Sequence, residues 1–131
     1  MPEAFKMTPN VLVVSRDPML LQTRQLILGA FFQVHGAGRM REVEALMSRY
    51  SFDLIILCYT LPESERQAVM NLVADVKWPP RILLMTPIGS WQEVAAPGQA
   101  MMTEAGPYYL LKKSAEMLGI DIKAKANLVE V

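Results

Sequence analysis

Asp53-Leu54-Ile55-Ile56-Leu57-Cys58 is the stretch on which the fold turns. Its aliphatic side chains follow one another with no polar alternation, so an extended segment here offers neither face to water. That pattern is expected of a strand covered on both faces, and the run is too short for a helix. Val11-Leu12-Val13-Val14 repeats the pattern upstream, and Arg81-Ile82-Leu83-Leu84-Met85-Thr86 repeats it downstream.

Helical periodicity fills the spaces between these runs. Ser15-Arg16-Asp17-Pro18 closes the first strand and opens a helix, with Asp17 able to cap free N–H groups and Pro18 suited to the first helical position. Leu20, Leu21, Arg24, Leu28 and Phe31 then mark an amphipathic helix that ends near Gly29. Residues 32–36 read as a short second strand, and residues 39–50 as a helix carrying Val43, Leu46, Met47 and Tyr50 on one face. Leu61-Pro62-Glu63-Ser64 is a loop, and residues 65–76 form a helix stopped by Pro79-Pro80. Residues 91–105 are expected to form a helix broken at Pro97-Gly98. Tyr108-Tyr109-Leu110-Leu111 is expected as the fifth strand. Ala115, Leu118 and Ile122 mark a last helix in residues 114–131, weakened by Gly119. Apolar strands alternating with amphipathic helices imply an α/β domain, doubly wound around a parallel sheet with helices on both faces.

Composition narrows the classes. A hydrophobic fraction of 52% against 20% charged residues excludes a disordered chain. The 131 residues suit one domain, with a core at about residues 10–118 and no room for a second, output-bearing unit. Thirteen Lys and Arg balance thirteen Asp and Glu, which argues against a broad nucleic-acid face. A single cysteine excludes an internal disulfide framework and fits a reducing, cytoplasmic setting. The first ten residues lack the apolar segment of a signal peptide, and no apolar run approaches the ~20 residues of a membrane span.

In a parallel sheet of this kind chemistry gathers at the carboxyl ends of the strands. Those ends are Ser15, Arg16 and Asp17, Cys58 and Tyr59, Thr86, and Lys112 and Lys113. Read in order, these segments resemble the receiver domain of bacterial two-component response regulators. Val11 to Pro18 resembles the first strand and its acidic turn, and Asp53 to Pro62 the third strand and the loop after it. Leu84-Met85-Thr86 resembles the fourth strand with its switch hydroxyl, and Tyr109-Leu110-Leu111-Lys112 the fifth strand with its aromatic switch residue and lysine. The resemblance implies a flavodoxin-like five-stranded (βα)5 domain with strand order 2-1-3-4-5. It also implies phosphoryl transfer to an Asp at the end of the third strand, aided by two acids that hold Mg²⁺, a hydroxyl and a lysine.

The chain departs from that pattern where the chemistry is done. Cys58 stands at the phosphoacceptor position, and Ser15 and Arg16 at the acidic pair. Asp17 alone, beside Arg16, is a poor Mg²⁺ site. Asp53 cannot replace the acceptor, because it lies five residues away, about 16 Å along an extended strand. Phosphorylation and Mg²⁺ binding are therefore not expected, and neither is enzymatic activity. Lys112 takes the lysine position if one residue is deleted after Gly106; Lys113 takes it without a gap.

Each remaining feature has an ordinary reading beside a functional one. Cys58 is either a small buried space-filler or a thiol activated by nearby cations. Arg16 and Lys112 either form an anion site near the first helix's N-terminus or pair with Asp17, Glu63 or Glu65. Thr86 and Tyr109 are residues that suit a strand, and His35 has no partner at metal-ligand spacing. Met19, Met40, Met47, Met70, Met85 and Met117 fall in or beside apolar stripes and read as core filling. Met101 and Met102, with Trp91, are expected in the broken fourth helix. The surface of the fourth helix, fifth strand and fifth helix would then suit protein contact or a homodimer. The expected function is a degenerate receiver that acts on a protein partner (a signalling kinase, a regulator or an output protein), without nucleic acid or membrane. A small-anion or nucleotide-type sensor using Arg16 and Lys112, and a Cys58 thiol redox sensor, are the alternatives. No glycine-rich phosphate loop follows the first strand, which counts against a nucleotide.

Overall fold

The computed structural model describes residues 8–86, 99–103 and 107–120. The elements are β1 (Asn10–Val14), α1 (Pro18–Leu28), β2 (Gln33–Ala37), α2 (Met40–Arg49), β3 (Leu54–Leu57), α3 (Glu63–Ala74), β4 (Arg81–Thr86), β5 (Gln99–Thr103) and α4 (Pro107–Leu118). The five strands form one sheet in the order β2-β1-β3-β4-β5, and every pairing is parallel. This is the expected flavodoxin-like topology.

The unalternated strands are covered on both faces, as their composition requires. Val11, Val13, Leu54, Ile56, Cys58, Leu83 and Met85 point to a layer formed by α1 and α4, where they meet Leu28, Leu110, Leu111 and Ala115. Leu12, Val14, Ala37, Ile55, Leu57 and Ile82 point to the opposite layer, where they meet Val43 of α2 and Val69 and Val73 of α3. A period of two along each strand thus builds two cores, one on each side of the sheet. β2 runs close under α1: a Cβ on Gly36 would fall 2.5 Å from the Gln25 side chain. Gly119 leaves α4 at φ +71°, a conformation that costs other residues about 1–2 kcal/mol, and lets Ile120 donate to the Ala115 carbonyl at 2.8 Å.

The fifth strand is not where the aromatic run placed it. Tyr108-Tyr109-Leu110-Leu111 forms the first turns of α4, and β5 is Gln99–Thr103 instead. Two aromatics and two leucines mimic a strand by propensity, but Pro107 begins the helix, and Leu110, Leu111, Ser114 and Ala115 recur with helical spacing and are buried. Gln99-Ala100-Met101-Met102-Thr103 carries residues that favour helices. It is extended because β4 offers a ladder from Ile82↔Gln99 to Thr86↔Thr103. Met101 and Met102 are therefore half-buried strand residues, not part of a fourth helix. Trp91 and the Pro97-Gly98 break lie outside the described residues. Met19, expected in the core, is 71% exposed on α1.

Candidate functional site

Register places the strand ends side by side. Val14 pairs with Leu57, and Leu57 with Leu84, so Ser15, Cys58 and Met85 follow at one level of the sheet. Thr86 stands one residue higher and pairs on β5 with Thr103. The first three expected segments thus converge at one edge, as the sequence reading requires.

Polar groups at this edge are bonded to one another. Ser15, fully buried, lies with its Oγ 3.1 Å from Thr60 Oγ1 and accepts from the Asp17 N–H at 3.2 Å. Thr60 Oγ1 also accepts the Arg16 N–H at 3.0 Å. The loop after β1 is in this way tied to the loop after β3. The Arg16 guanidinium reaches over α3 and pairs with Glu65 at 3.2 Å, half exposed. The Asp17 carboxylate faces the other way: its Oδ1 accepts from Met19 N at 3.0 Å and Leu20 N at 3.3 Å, the helix cap its position predicts. The Thr86 hydroxyl, also buried, donates to the Met102 carbonyl at 3.3 Å.

Below these groups lies a cation that the strand ends did not announce. Arg24 of α1 is only 5% exposed, and its Nη1 donates to Cys58 Sγ, itself completely buried. Arginine stays protonated in any protein environment, so its charge enters the core and is stabilised only by acceptors placed against it. The sequence held a signal for this residue: Arg24 occupies the same helical stripe as Leu20, Leu21 and Leu28, where an exposed charge does not belong. Glu65 is one of the partners the ordinary reading of Arg16 offered; Thr60 was missed because its role depends on where the loop after β3 folds back.

The lysines do not belong to this edge. Lys112 is exposed on α4, more than a turn into the helix, and Lys113 pairs with Glu116 at 3.4 Å. Tyr109 is exposed and packs edge-to-face on Tyr108, with ring centroids 5.8 Å apart. Tyr109, Lys112 and Lys113 are therefore not strand-end residues, because the segment that carries them is helical. An anion site built from Arg16 and Lys112 loses both members, one to Glu65 and one to α4. His35 stacks on Tyr50 with centroids 4.3 Å apart, an aromatic contact at the β2 edge.

A divalent cation of the kind held by working receivers does not fit these residues. Mg²⁺ demands hard oxygen ligands, chiefly carboxylates. Here Ser15 is bonded to Thr60, Arg16 is a cation, Asp17 caps α1, and Cys58 faces Arg24. Among the described residues no three acidic, histidine or cysteine side chains converge.

No protein-family model and no curated protein sequence matches the chain. Solved structures do. A response regulator receiver domain protein from Bacillus halodurans superposes with a TM-score of 0.72 at 17% identity, covering 85% of this chain and 97% of that one. A response regulator receiver protein from Burkholderia phymatum gives 0.70 at 18% identity, with coverages of 87% and 98%. The chemotaxis response regulator CheY4 of Vibrio cholerae gives 0.66 at 21%, with coverages of 85% and 99%. Among the described residues no helix is long and apolar enough to cross a membrane. The chain has the fold of a response regulator receiver domain.

Proposed function

We propose that this protein is an atypical receiver domain that signals by binding a protein partner and takes no phosphoryl group. One observation carries the reading. The positions where a receiver keeps its acceptor and acidic pair hold Cys58 against Arg24, and Ser15 and Arg16 tied to Thr60 and Glu65. A thiol in place of the carboxylate cannot form the aspartyl phosphate. With no acidic pair beside it, no metal is expected to neutralise a transferring phosphoryl group. The five-stranded parallel sheet behind that edge is retained, so what remains to it is recognition through its surface. The setting is two-component signalling, with a kinase, regulator or output protein as the partner.

The test is incubation of the full chain with acetyl phosphate, or with beryllofluoride and Mg²⁺, followed by intact mass and amide chemical shifts. No adduct and no Mg²⁺-dependent shift change are expected. A stoichiometric, Mg²⁺-dependent adduct would overturn the reading.

A further inference from the structure

At the amino-terminal end of the sheet, opposite the strand-end site, a pocket of about 80 Å³ opens between the ends of α2 and α3. Met47 and Tyr50 line it from the end of α2, Phe52 from the segment before β3, and Val76, Trp78 and Pro80 from the segment before β4. None of its lining residues is charged. Trp78 is 80% exposed, and Tyr50 and Val76 are each more than a third exposed. Ring contacts hold the wall in place. Tyr50 stacks on His35, and Phe52 meets both rings, with centroids 5.7 Å from His35 and 6.2 Å from Tyr50. Rings already fixed lose little freedom when a ligand arrives.

Cations stand on its rim. The Arg49 guanidinium lies 5.7 Å from the centroid of the Tyr50 ring, and the Lys77 ammonium 5.9 Å from that of the Trp78 ring. Arg81 follows Pro80 and, with Phe52 and Trp78, lines the groove that adjoins the pocket. All three cations are exposed. The one exposed acid among residues 49–53 and 75–81 is Asp75; Asp53 is half-buried and accepts the Asn10 N–H at 2.8 Å. In a chain whose charges balance overall, the rim carries a local excess of positive charge.

We infer that this pocket docks the protein partner, and that the partner presents a short acidic segment with one aliphatic side chain at its centre. The volume selects the anchor: it falls far below the roughly 300–1,000 Å³ of a small-molecule site and takes a single side chain. A bulky group seated among fixed aromatic rings is where interfaces concentrate their energy, and Trp, Tyr, Met and Arg are the residues they concentrate. The charges select the flanks. Carboxylates on either side of the anchor meet Arg49 beside Tyr50 and Lys77 beside Trp78, whereas a basic segment meets its own sign. The inference rests on the reading that the protein acts by binding a partner, and adds to it the place of contact and the partner's chemistry.

Titration of the full chain with the capped peptide Glu-Asp-Leu-Asp-Glu tests it, followed by amide shifts and by the indole N–H signal of Trp78, which Trp78→Phe assigns by removing it. Saturable shifts centred on Tyr50, Val76 and Trp78 are expected. Peptides with lysine at the four acidic positions, or with glycine for the leucine, should each bind at least ~10-fold more weakly. Arg49→Glu combined with Lys77→Glu, both at exposed positions, should reverse the preference between the acidic and basic peptides, and unchanged circular dichroism shows that the variant folds. Equal binding of the acidic and basic peptides overturns the acidic partner, and equal binding without the leucine overturns the anchor. Absence of any shift at these residues up to about 10 mM peptide, well into the range of a weak contact, overturns the site. Each of these outcomes is independent of the acetyl phosphate test, which alone decides whether the chain takes a phosphoryl group.

Discussion

Replacing Cys58 by Ala should destabilise the protein far more when Arg24 is present than when it is not. Cys58 is fully buried and accepts a hydrogen bond from a guanidinium that is 5% exposed. Removing the sulfur forfeits burial worth about 1 kcal/mol, comparable to one methylene. It also removes a hydrogen bond from a charged donor, worth about 1.5–3 kcal/mol. In the native background Cys58→Ala should therefore cost about 2.5–4 kcal/mol. In an Arg24→Leu background only the burial contribution remains, about 1 kcal/mol. The difference is the coupling between the two side chains. Urea unfolding followed by circular dichroism, with a constant slope across the four proteins, measures it as a double-mutant cycle. Energies that add to within about 0.5 kcal/mol would refute the argument that the thiol and the guanidinium act as a pair.

Asp17→Ala should cost about 1 kcal/mol by uncapping α1, because its Oδ1 is the acceptor for the Met19 and Leu20 amides. The same urea assay reads it, and Asp17→Asn should recover most of the loss. Ser114→Ala should leave stability unchanged or raise it by up to about 1 kcal/mol, since the Ser114 hydroxyl is fully buried with no hydrogen-bond partner and alanine is the better helix former. A loss above about 1 kcal/mol would show that the hydroxyl has an acceptor.

The sequence alone determined the three central strands of the sheet, β1, β3 and β4. Continuous apolar runs at Val11–Val14, Leu54–Leu57 and Ile82–Met85 can only be strands covered twice, because the hydrophobic effect leaves no face for solvent. It also placed Ser15, Arg16 and Cys58 at the strand ends, where the register brings them to one edge. Local chemistry was legible where one residue acts on its own neighbours, as Asp17 does on α1. Two things belonged to the tertiary structure. The fifth strand is one: Gln99–Thr103 is extended because β4's unpaired edge supplies its hydrogen bonds, while Tyr108–Leu111 is helical because its leucines must face the core at a period near 3.6. The cation of the site is the other. Lysines 112 and 113 ride on α4, and Arg24, 34 residues before Cys58 and so roughly 110 Å away along an extended chain, is brought to it by the packing of α1 on the sheet. A buried charge is stabilised by what surrounds it in space, and neighbours in space are what a local pattern of residues does not record.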